Sequence, residues 1–332
     1  MTKAFEITAR EKTSSARTGI IHTRHGPIQT PAFAPVASQG TVKGLSHSQV
    51  QELGAQLLLV NAYHLFLRPG TDIIKALGGI HAFISWDGPI LSDSGGFQIY
   101  SMTPLVKVRE EGVEFSSHLD GTRIFLTPED IIDIQRDLDT DIMMLLDTFR
   151  PYPSSRQEAQ GAMETTTRWA RRSKAHLEKK PTSQLVWAIS QGGTHWDLRK
   201  RSIEDLLSLG FDGYALGGLG IGEPKTRFLE MVERSCEILP EESPRYLMGI
   251  GYIQDIFSAV EAGVDLFDCV LPTRNARNGT LFTSRGKMVV KNKKYERDSR
   301  PIDERCGCTT CRHFSRAYLR HLYERQEISS AI

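Results

Sequence analysis

Eight short apolar runs, each ending in a polar residue or glycine and followed by a stretch that reads as helix, constrain this chain more than any other feature. They are "TPAFAPVAS" (30–38), "LLLVNAYH" (57–64), "PILSDSGG" (89–96), "DIMMLLD" (141–147), "QLVWAISQGG" (184–193), "GYALGGL" (213–219), "RYLMGIG" (245–251) and "LFDCV" (266–270). Apolar runs without strict alternation are what strands buried on both faces look like. The segments between them carry helix signals. "SHSQVQELGA" offers Ser46 as a polar cap ahead of apolar positions at helical spacing. "TPEDIIDIQRDL" opens with Thr127 as N-cap, Pro128 in the first turn, and Glu129 and Asp130 near the positive end of the helix dipole. Eight such alternations predict an α/β fold of the (β/α)8 TIM-barrel type; a doubly wound sheet alternates in the same way but with fewer strands.

Two segments depart from the alternation. Between Gly96 and Asp141, "GVEFSSHLDGTRIFLTPE" reads as an inserted hairpin turning at Asp120-Gly121. After Val270 the chain becomes basic and carries clustered cysteines, which predicts a barrel over 1–271 and a small subdomain over 272–332. The charge distribution marks the same boundary. Net charge is +1, yet Pro272–Gln326 holds fourteen Lys or Arg against five Asp or Glu, which is +9 and leaves the other residues at −8. Such asymmetry suits a nucleic acid or another polyanion, and its plain alternative is a solvated basic surface.

At 39% hydrophobic and 24% charged, 332 residues can bury a large core, so a disordered chain is excluded. "MTKAFEITAR" lacks the apolar stretch of a signal peptide, and no segment approaches the ~20 apolar residues that would span a bilayer; a cytoplasmic location is the expectation. Of five cysteines, Cys306, Cys308 and Cys311 fall within "CGCTTC", a clustering that points to metal rather than to disulfides.

In barrels of this kind the active site is built at the C-terminal ends of the strands and in the loops that follow. Those positions here are Asn61, Asp93, Asp147, Gln191, Gly218, Met248 and Asp268. Taken singly, each Asp is explained as a turn or cap residue. Taken together, several acids converging without cations would repel one another unless a proton or ligand intervened. Gly95-Gly96 and Gly192-Gly193 add backbone that a ligand could approach closely.

The motifs "SDSGGFQ" (92–98), "FSSHLDG" (115–121), "AISQGG" (188–193), "GFDGYALGGLGIGE" (210–223), "YLMGIG" (246–251), "FDCVLPTRNARNG" (267–279) and "CGCTTC" (306–311) together resemble the bacterial-type tRNA-guanine transglycosylases. The resemblance runs over nearly the whole chain. It implies a (β/α)8 barrel with a zinc subdomain and exchange of the wobble guanine of a tRNA with a G-U-N anticodon for the queuosine precursor preQ1. By the same resemblance, Asp268 would be the nucleophile on C1′ of the ribose and Asp93 the general acid/base. Asp147, Gln191 and the Gly218 N–H would bind the purine, Phe97 and Met248 would sandwich it, and Glu223 would receive the aminomethyl group of preQ1. Arg274 and Arg277 would hold tRNA phosphates, and Cys306, Cys308 and Cys311 would hold Zn2+. A homodimer is left open.

The chemistry agrees with those roles. Replacing one base on a ribose by another with retained stereochemistry needs two inversions, hence a carboxylate that holds the sugar covalently in between. A carboxylate such as Asp147 can accept both N1–H and the exocyclic amine of guanine, while an amide and a backbone N–H donate to O6; adenine presents the opposite pattern. A base stacked in an anticodon loop must be flipped out to be reached.

Two departures from the family pattern stand out. "DTFRPYP" puts Thr148, Phe149 and Arg150 where the bacterial pattern has Glu-Cys-Thr, so base preference is open between preQ1, queuine and another 7-deazaguanine. The family's fourth zinc ligand, a histidine, falls beyond the segment that matches "QEISSAI", which implies a C-terminally truncated subdomain; His313 and His321 are near in sequence but do not match the motif. Two rivals remain: a noncatalytic tRNA-binding paralogue, against which both Asp93 and Asp268 speak, and an unrelated barrel lyase or glycosidase, against which the basic segment speaks.

Overall fold

The computed structural model describes residues 3–102 and 106–332. All eight apolar runs form strands: Ala32–Pro35, Leu58–Asn61, Ile90–Asp93, Ile142–Met144, Leu185–Ser190, Gly213–Leu216, Arg245–Leu247 and Leu266–Cys269. They make one eight-stranded sheet in which the strands pair in parallel with sequence neighbours, and the last pairs with the first. A parallel bridge between Val36 and Leu59 joins the first strand to the second and closes the ring. The fold is the (β/α)8 barrel that the alternation predicts, rather than an open doubly wound sheet.

Strand residues alternate between two cores, which explains why the runs are apolar throughout. Leu91, Ile142, Met144, Trp187, Ile189, Tyr246 and Leu266 pack inside the barrel. Met143, Leu145, Val186, Ala188, Leu247 and Phe267 face outward onto helix residues such as Ile203, Met231 and Val232. Fully burying a side chain of this size contributes about 1.5–3 kcal/mol, so both phases of each strand are held. The inward phase also aims the site. Continuing it past Leu91, Ile189, Tyr246 and Leu266 leads to Asp93, Gln191, Met248 and Asp268, at the C-terminal mouth.

The helix Pro128–Leu138 begins as the sequence indicates: Thr127 and Asp130 form a reciprocal capping box with Pro128 in the first turn. The inserted hairpin is present as Val113–Ser116 against Arg123–Leu126, joined through a turn holding Asp120-Gly121, and a third short strand, Lys107–Val108, extends it.

An element without a distinct sequence signal precedes the barrel. Phe5–Arg10, Arg17–Thr23 and Gly26–Thr30 form an antiparallel sheet, and its Phe5, Ile21 and Ile28 join the interior barrel core from the end opposite Asp93. Arg17 fixes it there: its Nε and Nη2 donate to the two carboxyl oxygens of Asp265 at 2.9 and 2.6 Å, both side chains being buried.

The chain divides into two compact units, one running up to Thr41 and resuming over Gln51–Cys269, the other made of Val42–Val50 and Val270–Ile332. The second contains the helices Leu271–Arg277, Thr309–His313 and Arg316–Glu324 and a small antiparallel ribbon of Thr280–Thr283 with Gly286–Val289. Its core is Val290, Ile302 and Leu319, against which Cys311 packs. No described helix is long and apolar enough to cross a membrane.

Candidate active site

Two carboxyl groups dominate the barrel mouth. Asp93 ends the strand Ile90–Asp93 and is buried. Its Oδ2 accepts from Asn61 Nδ2 at 2.6 Å, and its Oδ1 accepts from the N–H groups of Ala62 and Gly95 at 3.2 and 3.1 Å. Despite these donors, burial, with the field of Asp268 adding to it, lifts the Asp93 pKa to about 7. Asp268 lies in the last strand and accepts on Oδ1 from Tyr246 Oη at 2.6 Å and from the Gly249 N–H at 2.8 Å. Burial raises its pKa too, against those two hydrogen bonds. The Tyr246 hydroxyl is in turn held well above its ordinary range by burial and by the neighbouring carboxylate. Two acids therefore share one site, one anchored by a phenol and a backbone N–H, the other poised to carry a proton near neutral pH.

A second acid-amide pair stands beside them. Gln191 Nε2 donates to Asp147 Oδ2 at 2.6 Å, and burial lifts the Asp147 pKa to about 6. The backbone is fitted closely around this pair. A Cβ on Gly96 would lie 3.0 Å from Asp147 Oδ1, and one on Gly218, where φ is +66°, would lie 2.5 Å from Gln191 Oε1. A side chain at Gly96 would crowd Asp147, and one at Gly218 would be strained by the backbone and would displace the Gln191 amide. One hydrogen of the Gln191 amide is already on Asp147, which leaves the other for a ligand.

Around these acids the aromatic residues are arranged differently from a simple sandwich. Phe97, on the helix Gly96–Met102, is 54% exposed. Its ring stacks on Phe149, with centroids 5.6 Å apart and planes 15° apart, and Tyr100 leans on Phe149 at 5.3 Å. The Tyr100 hydroxyl meets Thr148 Oγ1. Phe149 therefore lies against the very ring expected to cover a purine. Met248 is half-buried against the barrel core. Glu223 accepts from the N–H groups of Gly220 and Ile221 at 2.5 and 3.0 Å, so its carboxylate is engaged by its own loop.

Some contributors escape sequence reasoning. Tyr246 reads as one more core aromatic, although its phase along the strand, two residues before Met248, is a usable signal. Arg199 reads as a polar helix residue but is completely buried; it donates to Gly193 O at 3.1 and 3.0 Å and to Gly217 O at 2.9 Å, bracing the two glycine loops beside Gln191. Burial lowers its pKa to about 10 while Glu223 works in the other direction.

In the second unit, Arg274 and Arg277 lie on the helix Leu271–Arg277, Arg274 exposed and Arg277 reaching the carbonyl of Lys43 at 3.5 Å. Cys306, Cys308 and Cys311 bring their sulfurs within 4.8 Å of one another. Three soft donors at that spacing suit a tetrahedral thiolate site. Neither His313 nor His321 joins that cluster among the described residues.

The family model described as Queuine tRNA-ribosyltransferase matches residues 11–332. Curated relatives of the same name agree. The one from Thermodesulfovibrio yellowstonii is 52% identical over 320 residues, 96% of this chain and 84% of that protein. Those from Nitratidesulfovibrio vulgaris and Lysinibacillus sphaericus are 49% and 50% identical, covering 98% and 97% of this chain and 86% and 84% of theirs.

Proposed function

The chain belongs to the queuine tRNA-ribosyltransferase family, and from that premise we propose how its residues carry out the exchange. The protein is a tRNA-guanine transglycosylase, a pentosyltransferase that acts on tRNA and a free base. The observation that carries the residue assignment is the coupled pair Asp93 and Asp268, each with a raised pKa and each differently anchored.

Both hydrogen bonds to Asp268 fall on Oδ1, so we assign Oδ2 as the attacking atom. It bonds to C1′ of the ribose as the C1′–N9 bond of guanine breaks, and protonated Asp93 supplies the proton that the departing base takes up. The incoming base then returns a proton to Asp93 as its own nitrogen attacks C1′, and Asp268 leaves as a carboxylate. Two inversions retain the configuration. Asp147 accepts the N1 and exocyclic protons of the purine; the free Gln191 hydrogen and the Gly218 N–H donate to O6. Phe97 and Met248 cover the ring, and Phe149 narrows the space beside it.

The base installed is preQ1, with Glu223 exchanging its loop N–H partners for the aminomethyl group. The tRNA carries a G-U-N anticodon, Arg274 and Arg277 hold phosphates flanking the flipped nucleotide, and the work is done in the cytoplasm. Functionally, residues 1–271 make the catalytic barrel and 272–332 the basic subdomain. Cys306, Cys308 and Cys311 hold zinc, which supplies a structural cross-link in that subdomain and takes no part in the exchange.

The test is incorporation of labelled guanine, and separately of preQ1, into a tRNA with G-U-N at the anticodon. A tRNA with adenosine at the wobble position serves as control. Incorporation into both alike, or into neither, overturns the reading.

A further inference from the structure

A second cluster of ligand-type side chains lies at the barrel floor, at the opposite ends of the strands from Asp93. His25, His81 and Asp141 each offer a ligand atom, and the three atoms fall within 4.8 Å of one another. Asp141 directly precedes the strand Ile142–Met144, and its side chain is 0% exposed. His25 Nδ1 stands 2.9 Å from Oδ1 and His81 Nε2 stands 3.1 Å from Oδ2. The N–H groups of His25 and Ile90 donate to the same two oxygens at 3.1 and 2.9 Å.

Separate elements are brought together to make this arrangement. His25 is in the two-residue tip between strands whose ends pair Thr23 with Gly26. His81 is on the helix Gly79–Ile84, which runs so close to the chain just before Asp141 that a Cβ on Gly79 would lie 3.0 Å from Asp139 Cβ. The two imidazoles stack with centroids 3.6 Å apart. Each thus presents one nitrogen to a different oxygen of one buried carboxylate.

We propose that His25, His81 and Asp141 form a second metal site, for a transition-metal dication, that pins the N-terminal sheet to the barrel floor. Donors bound at about 2.0–2.2 Å to one tetrahedral ion stand about 3.3 Å from one another, close to the N···O spacings present. Two imidazoles and one carboxylate suit Zn2+, Ni2+ or Cu2+ better than Mg2+ or Ca2+, which prefer all-oxygen shells. Local charge also favours a cation. The neighbouring Arg24 is already paired with Asp139 at 2.8 Å and donates to the carbonyls of Asp139 and Thr140, so the charge of Asp141 is left for the ion. Parallel rings aim their lone pairs side by side, so capture tilts one of them; His25, at 33% exposed against 11% for His81, is free to do so and admits water as a further ligand. The floor of such a barrel serves stability rather than catalysis, which assigns the ion a structural role.

The test counts zinc bound by the full chain near neutral pH, by equilibrium dialysis against micromolar Zn2+. His25→Gln and His81→Gln serve as variants because glutamine keeps an N–H donor for Asp141 but is a poor ligand. The parent chain should bind one zinc more than either variant, with affinity at that site falling at least tenfold in each. Added zinc should raise the melting temperature of the parent and not of the variants. In Co2+-loaded protein the thiolate charge-transfer band should be unchanged by either substitution, which separates this site from the cysteine cluster. Equal zinc counts in parent and both variants overturn the proposal and leave the triad a hydrogen-bonded cap, whether or not the cysteines bind metal.

Discussion

Asp268 and Asp93 are the same residue type in two environments, and the difference underlies the separate roles proposed for them. Asp268 receives two hydrogen bonds on one oxygen, whereas Asp93 is lifted to about 7 by burial and by Asp268. Asp268→Asn should abolish base exchange while changing tRNA affinity by less than about tenfold, since losing a nucleophile removes transition-state rather than ground-state binding. Exchange assays and filter binding check both halves, and undiminished exchange would refute the assignment. Asp93 makes a pH prediction. In the proposed mechanism its acid form releases guanine, so kcat/KM should fall by about tenfold per pH unit above the region of pH 7. The same shift has a sign for stability: a carboxyl raised in the fold contributes stability that is fully present below its ordinary 3.8 and lost as pH rises through about 7. Asp93→Asn should therefore reduce the loss of unfolding free energy between pH 5 and pH 8, measured by denaturant titration. Phe149 bears on the base itself. Because its ring stacks on Phe97, Phe149→Cys should change the ratio of preQ1 to guanine incorporation, and an unchanged ratio would show that Phe149 lies outside the base site.

Among the elements, the barrel strands were legible because helices cover one face and the barrel core the other, which leaves no polar phase to confuse the pattern. Their ends were legible because an acid closing an apolar run is costly unless it has work or a cap to perform. The N-terminal sheet was hidden for the converse reason: Phe5–Arg10 buries only one residue fully and leaves most of the rest to solvent, so its sequence reads as surface. Tyr246 and Arg199 were hidden by type, one passing as core and the other as a wet helix face. What ties the N-terminal sheet down is the buried Arg17–Asp265 pair, with side chains 3% and 0% exposed. Arg17→Met strips the buried Asp265 carboxylate, already pushed upward by burial, of its bidentate partner and leaves it the Arg245 N–H at 2.7 Å, and should cost about 3 kcal/mol. Asp265→Asn added to it should recover part of that loss in the same denaturant titration. The helix Leu271–Arg277 supports a different claim. Replacing Arg274 and Arg277 by Ala should weaken tRNA binding uniformly across sequences and flatten its salt dependence by about one unit of slope per lost phosphate contact. A normal slope with a lowered melting temperature would make those arginines structural.

For the whole molecule, the two compact units have cores of very different size, and this sets the order in which they should fail. The barrel unit buries two extended clusters. Among the described residues, the unit holding Val270–Ile332 has a cluster of Val290, Ile302 and Leu319 with partly buried neighbours, Cys311 among them. A core that small rarely supplies enough burial to hold a fold, and small units are commonly stapled by metal. Binding free energy at a thiolate site is folding free energy for the segment that carries the ligands. Removing the zinc proposed at Cys306, Cys308 and Cys311 should therefore disorder the basic unit while the barrel stays folded. Hydrogen exchange after treatment with a strong chelator should show protection lost across Val289–Tyr323 and kept in Leu185–Ser190 and Leu266–Cys269. Guanine exchange into tRNA should fall along with tRNA affinity, since fourteen of the cations between Pro272 and Gln326 belong to this unit, and added zinc should restore both. Protection unchanged under chelation, with metal analysis showing the zinc gone, would mean that the three thiolates do not hold the unit together.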